Sequence, residues 1–234
     1  MLSAAAEDYL KTIYKLRSSD EGAGAPVTTQ ALAERLGVAA PSATAMVKKL
    51  ASLELVRHTP YRGVELTEAG EKIALEVIRH HRLVETYLAE VLGVAWDKVH
   101  DEAERLEHVL SEEVEERMSA ALGHPTRDPH GAPIPTHDGR IERDAWLRLS
   151  GFDAGSQVIV RRVSDENAVL LRHLSDVGLV PGARVEVLRN TAAEGVLLLR
   201  VEGQNHTVGV PAAAIVLVST DHEASGEPIA EVAS

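Results

Sequence analysis

Cysteine is absent from all 234 residues, which removes disulfides and thiolate metal sites. Any transition-metal site must therefore be built from nitrogen and oxygen. Long apolar runs are absent as well, since no stretch approaches the roughly 18 residues that a membrane-spanning helix needs. The first residues, MLSAAAEDYLKTIYKL, show no charged-then-apolar signal pattern and are instead amphipathic and acidic. There is no internal repeat. These absences predict a cytoplasmic protein with no membrane partner.

Positive charge is scarce too. The net charge of −12 argues at face value against nucleic acid, because phosphate neutralisation by Lys and Arg supplies most non-specific affinity. The deficit is uneven, however. Residues 29–63 hold Arg35, Lys48, Lys49, Arg57 and Arg62 against only Glu34 and Glu54, a local positive excess inside an acidic protein. With 44% hydrophobic and 26% charged residues the chain is globular, neither disordered nor fibrous.

What is present falls into segments. Residues 3–17 read as a helix with Ala6, Tyr9, Leu10, Ile13 and Leu16 at helical spacing, and SSDEGAGAP breaks it. VTTQALAERLGVAAPSATAMVKKLASLELV contains two short helices: Thr29 can cap the first, Gly37 ends it, and Pro41 suits the first turn of the second. LVRHTPYRGVELT follows as a hairpin turning at Pro60, Tyr61, Arg62 and Gly63. Helix-turn-helix plus hairpin is a winged helix. A helical pattern runs from Glu68 to about Leu92, and a second long helix is expected from about Trp96 to Leu122. HPTRDPHGAPIPTHDG cannot continue a helix. QVIVRRV, ARVEVLR, VLLLRVE and HTVGVP are strand-like, with a short helix at NAVLLRHLSDVG, and suggest a small SH3-like β-barrel.

A DNA reader presents side chains to base edges while basic groups hold phosphates. The candidates are Thr28, Ala39, Pro41, Ser42 and Thr44 at and before the second helix, Lys48 and Lys49 along it, and Arg57, Tyr61 and Arg62 on the wing. Small residues at the helix start, Ala40 included, permit close approach to thymine methyls. No arginine fork for guanine is evident, so readout by DNA shape is expected.

The stretch HDEAERLEHVLSEEVEER, residues 100–117, is crowded with carboxylates. On a continuous helix His100, Glu104, Glu107 and His108 fall on one arc, beside an apolar arc of Val99, Ala103, Leu106, Leu110 and Val114. His81 and Glu85 repeat the one-turn spacing upstream. Two readings stand open on spacing alone: a solvated helix face, or a divalent-cation site whose oxygen-rich donors suit Mn2+ or Fe2+. A helical metalloenzyme would need Glu-x-x-His motifs on two helices of one bundle, and the first long helix has His before Glu. A metal-independent winged-helix sensor of an organic ligand leaves the histidine spacing unexplained.

EDYLKTIYKL, HHRLVE, KVHDEAERLEHVLSEEVEERM and HPTRDPHGAPIP, in this order and with this domain plan, resemble the diphtheria toxin repressor family of metal-dependent bacterial transcription regulators. The resemblance covers the chain to about residue 218. It implies a mainly α fold with small β: a winged helix-turn-helix (1–71), a metal-binding and dimerisation domain (72–139), a linker (140–155), a C-terminal SH3-like, FeoA-like domain (156–218) and a flexible tail (219–234). It places a primary effector site on Asp8, Glu104, Glu107 and His108. A second site would fall on His81, Glu85 and His100, with ligands from the terminal module for which Asp165 and Glu166 are candidates. Iron-responsive members carry methionine and cysteine where this chain has Asp8 and Glu104, so the chain is similar to the manganese-responsive branch. Where the short manganese regulators carry a further acid on the first helix, this chain has Lys11. The resemblance implies no enzyme and no small organic substrate. It implies a homodimer that Mn2+, or alternatively Fe2+, switches onto a palindromic DNA operator to repress metal uptake genes.

Overall fold

Ala6, Tyr9, Leu10 and Ile13 are all buried along one face of the first helix, α1 (Ala4–Ser18), as their spacing requires. The computed structural model describes residues 2–18, 26–59, 62–142, 145–191 and 194–220. These condense into two units: the described residues of 1–84, 103–126 and 134–142 in one, and those of 85–102, 127–133 and 143–220 in the other. Residues expected to form one domain, 72–139, thus contribute to both. No helix among the described residues is long and apolar enough to cross a membrane.

In the first unit α2 (Thr29–Leu36) and α3 (Ala40–Ser52) form the helix-turn-helix. The cap of α2 is Thr28 and not Thr29: Thr28 has extended backbone, and its hydroxyl accepts the Ala31 N–H at 3.0 Å, whereas Thr29 is already helical. Gly37 ends α2 at φ 63, a left-handed conformation that favours glycine. Pro41 occupies the first turn of α3, where its missing N–H costs nothing. Ala43, Val47 and Leu50 of α3 join Leu10, Ile13 and Leu32 in one aliphatic core. The wing follows as β1 (Val56–Thr59) paired antiparallel with β2 (Gly63–Leu66). Pro60 and Tyr61, at its tip, lie outside the described residues.

The long helix α4 (Glu68–Glu90) starts where Thr67 Oγ1 accepts the Gly70 N–H. Gly70 allows a close approach: a Cβ there would stand 2.0 Å from the Leu55 carbonyl oxygen. The single helix expected from Trp96 to Leu122 is broken. Instead α5 (Val99–Leu106) passes into a 3-10 turn (Glu107–Val109), and α6 (Glu112–Ala121) restarts with Ser111 as its cap, the hydroxyl accepting from Val114 N–H. A serine that offers its own acceptor competes with continued helix. The break also divides the apolar arc. Val99 and Ala103 are buried, but Leu106 and Val114 are exposed by 42% and 45%, as is Val109 between them by 78%.

The second unit carries a six-stranded antiparallel sheet in the order β3-β8-β4-β5-β6-β7. Its strands are β3 (Leu147–Arg148), β4 (Gln157–Val163), β5 (Arg184–Thr191), β6 (Val196–Val201), β7 (Gln204–Gly209) and β8 (Val216–Thr220). Register shifts in the β4/β8 and β5/β6 pairs bend the sheet, as an SH3-like barrel requires. It encloses an aliphatic core with Leu171 and Leu174 of α7 (Ala168–Val177). Three expectations need correction. The segment taken as linker, 140–155, contains β3, because Leu147 and Arg148 pair with β8. The expected tail begins inside β8, where Ser219 is buried opposite Ile159, and residues 221–234 lie outside the described residues. Finally, Val210 and Pro211 are not strand but open α8 (Val210–Ala214).

Candidate metal centre

Glu107, itself buried, is the hub of a half-buried cluster in the first unit. α1 supplies Glu7, Asp8 and Lys11; α4 supplies His81; the end of α5 and the 3-10 turn supply Glu104, Glu107 and His108. His108 Nε2 lies 2.9 Å from Asp8 Oδ1 and 3.3 Å from Glu107 Oε1, while its Nδ1 lies 2.7 Å from Glu7 Oε2. His81 Nδ1 meets Glu107 Oε2 at 2.5 Å. The Lys11 ammonium donates to Glu104 Oε1 at 2.7 Å and to Glu107 Oε1 at 2.5 Å. Asp8, Glu107 and His108 each offer a ligand atom within 4.8 Å of the others, and so do His81, Glu104 and Glu107. The four residues of the expected primary site therefore come together, with Glu104 joined to the other three through Glu107.

The electrostatics follow from burial and charge. Burial raises the Asp8 pKa above its ordinary value, and His108 and Lys11 only partly oppose it. The carboxylate is short of compensating positive charge. Burial also acts to raise Glu107, yet the His81 hydrogen bond and the Lys11 charge hold it below the carboxylate range. Lys11 is pushed upward, because Glu107 and Glu104 outweigh the burial that would lower it. The carboxylates of Asp8, Glu104 and Glu107 with the imidazoles of His81 and His108, without sulfur, fit a hard divalent cation. The ammonium already seated among them shows that the pocket is complementary to positive charge.

A brace that sequence reasoning missed stands behind this cluster. His80 Nδ1 lies 3.2 Å from the Glu107 carbonyl oxygen and Nε2 lies 3.1 Å from Glu115 Oε2. Arg79 donates to Glu115 Oε1 and to the Pro135 carbonyl. Both His80 nitrogens face acceptors, so both carry hydrogen. Burial acts to lower the His80 pKa, but the Glu115 carboxylate prevails and raises it. The paired histidines of HHRLVE were the only available signal.

The second unit holds another group. His100 Nδ1 lies 3.2 Å from Glu85 Oε1 and 3.1 Å from Asp165 Oδ2. Glu85, Asp128 and His130 are all buried, with ligand atoms within 4.8 Å of one another. Asp128 and His130 were not foreseen; their Asp-x-His spacing in HPTRDPHGAPIP was the overlooked signal. His130 is oriented by Nε2 against the Trp96 carbonyl at 3.0 Å, a support typical of ligating histidines. Its buried Nδ1, 3.8 Å from Glu85 Oε2, has no hydrogen-bond partner among the described residues. Burial opposes protonation of both histidines, but Asp165 and Glu85 carry His100 to about 10, and the Glu85 carboxylate carries His130 to about 9. Asp165 thus joins this group. His81, also expected here, stands one turn before Glu85 on α4, with its Nδ1 on Glu107 Oε2.

Of the expected DNA-contacting residues, Thr28, Ala39, Pro41, Ser42, Lys48, Lys49, Arg57 and Arg62 are exposed. Thr44 is half-buried, with its hydroxyl donating to the Ala40 carbonyl. Tyr61 lies outside the described residues.

Residues 1–64 match the iron-dependent repressor N-terminal DNA-binding domain, residues 67–136 the iron-dependent repressor metal-binding and dimerisation domain, and residues 147–220 the FeoA domain. The iron-dependent repressor IdeR of Mycobacterium tuberculosis (strain ATCC 25618 / H37Rv) is 38% identical over 217 residues, covering 86% of this chain and 91% of that protein. The diphtheria toxin repressor of Corynebacterium glutamicum is 35% identical over 193 residues, covering 78% and 82%. A solved manganese-dependent transcriptional repressor in complex with manganese superposes with a TM-score of 0.85 at 38% identity, over 92% of this chain and 99% of that one. With three domain matches in order and this extent of identity, the chain belongs to the iron-dependent repressor (diphtheria toxin repressor) family of metal-responsive, DNA-binding transcriptional regulators, and is not an enzyme.

Proposed function

We propose that this chain is a manganese-responsive repressor of metal uptake genes, acting in the cytoplasm as a homodimer on a palindromic operator. The observation that carries the reading is the approach of His108 to Asp8, 100 residues apart in sequence and 2.9 Å apart in space, within a donor set of oxygen and nitrogen alone. Asp8, Glu104, Glu107 and His108 would hold the effector ion, and Glu85, His100, Asp128, His130 and Asp165 a second one. A bound divalent ion would supply the positive charge of which the partly buried Asp8 carboxylate is short. Two hard oxygens, at Asp8 and Glu104, favour manganese over metals that prefer sulfur, and the relative solved in complex with manganese supports the same choice. Ferrous iron is the second reading, favoured by the relatives named iron-dependent repressors.

The chain's own residues convert occupancy into DNA binding. Asp8 belongs to α1, which packs on α2, α3 and β2 of the DNA-reading domain, while Glu104 and His108 belong to the segment after α4. Drawing these carboxylates and imidazoles together orders α1 against the helix-turn-helix. A coupling of about 1–3 kcal/mol would tighten DNA binding roughly 5- to 150-fold. The exposed Leu106, Val109 and Val114 supply apolar surface for a second copy of the chain. Lys48, Lys49, Arg57 and Arg62 would hold phosphates, while Thr28, Ala39, Pro41, Ser42, Thr44 and Tyr61 approach the grooves. The test is operator binding by fluorescence anisotropy with MnCl2, with ferrous iron under anaerobic conditions, and with chelator. Equal binding in chelator would end the metal reading; a response to ferrous iron alone would replace manganese with iron.

A further inference from the structure

The oxygen of Glu107 that faces His108 is the same oxygen that Lys11 occupies. Glu107 Oε1 lies 3.3 Å from His108 Nε2 and 2.5 Å from Lys11 Nζ, and Oε2 is taken by His81 at 2.5 Å. Lys11 also holds Glu104 Oε1. It is 4% exposed, an unusual position for a lysine. A divalent ion at Asp8, Glu107 and His108 would share Oε1 with the ammonium and stand within a few ångströms of it, where two cations repel strongly. Resting on the proposed effector site, we propose that the Lys11 ammonium is a tethered counter-cation which a divalent ion must displace from Glu104 and Glu107, so that this side chain sets how much metal the protein needs before it responds.

The arrangement has a physical logic on both sides. Without the ion, Lys11 relieves the mutual repulsion of Glu104 and Glu107 and lets α1 pack against the 3-10 turn. With the ion, that relief is redundant, and breaking two charge-assisted hydrogen bonds is subtracted from the binding free energy. Because Lys11 is part of the chain, its local concentration does not dilute, and the affinity for free metal is held down at every protein concentration.

The test titrates full-length protein with MnCl2 by calorimetry, comparing the parent with Lys11→Gln, Lys11→Met and His108→Ala. Lys15→Gln removes the same charge one turn along α1 and serves as the control. Both Lys11 variants should lower the dissociation constant of the primary site by at least about tenfold, with Lys15→Gln within about twofold of the parent. If the parent binds manganese in a His108-dependent way while the Lys11 variants bind no tighter, the displacement idea is overturned and the site assignment stands. If His108→Ala binds like the parent, the site assignment fails and takes this inference with it. A second measurement needs no variant: reductive methylation read by mass spectrometry should find Lys11 protected without metal and modified in saturating MnCl2. Equal protection in both conditions would overturn the proposal.

Discussion

His80 stands against Glu107 from behind: its Nδ1 lies 3.2 Å from the Glu107 carbonyl oxygen, with the other ring nitrogen on Glu115. The 3-10 turn that carries two expected ligands is thereby fastened to α4 through its main chain, independently of any side chain that touches the ion. Positioning a ligand in this way is what separates a formed site from a loose cluster of acids.

Breaking the brace should therefore cost stability and metal affinity together. Glu115→Gln leaves His80 and Arg79 with a weaker acceptor and should destabilise the fold by about 1–3 kcal/mol in urea unfolding. The pH dependence follows from the two shifts. Glu115, held below its ordinary 4.5 by the His80 hydrogen bond, contributes stability that is present above 4.5 and lost as pH falls through its depressed value. His80, raised above its ordinary 6.5, contributes stability that is present below 6.5 and lost as pH rises through its elevated value. The gap between parent and Glu115→Gln should be widest between those limits. A gap that is flat with pH would show that the pair is not ionic.

The primary ligands should fail without unfolding. Glu104→Ala or His108→Ala should abolish manganese-stimulated operator binding in a gel-shift titration, while size-exclusion chromatography still reports a dimer. Either variant responding to manganese like the parent would remove that residue from the site.

At the second cluster, metal and protons compete. His100 near 10 and His130 near 9 are protonated at neutral pH in the absence of an ion, and a coordinating imidazole must be neutral. Binding there should release about two protons per ion, measurable by calorimetry at pH 7 in two buffers of different ionisation enthalpy. His100→Gln and His130→Gln should each lower the count by about one. Identical heats in both buffers would mean that the histidines do not ligate.

Phosphate contacts should show themselves through salt. Lys48→Ala or Arg62→Ala should weaken binding to specific and random duplexes alike and reduce the salt slope by about 1. Ser42→Ala should leave that slope unchanged. A Lys48→Ala variant with the parent's slope would place Lys48 off the DNA.

The sequence alone determined the parts that rest on local rules. The spacing of Ala6, Tyr9, Leu10 and Ile13, the stop at Gly37, Pro41 in a first helical turn and the β-branched run of QVIVRRV each depend on neighbours within a few positions, where helix periodicity, strand propensity and turn chemistry operate. Lack of cysteine, likewise, settled the donor atoms before any fold was known. Tertiary structure alone decided that Lys11 sits between Glu104 and Glu107, that Asp128 and His130 gather with Glu85, and that Leu147 finds a partner in Val218. Those outcomes join residues from about 40 to nearly 100 positions apart. Short-range periodicity is blind to such pairs; they form because buried charge must find opposite charge and an edge strand must find a backbone partner, wherever along the chain it lies.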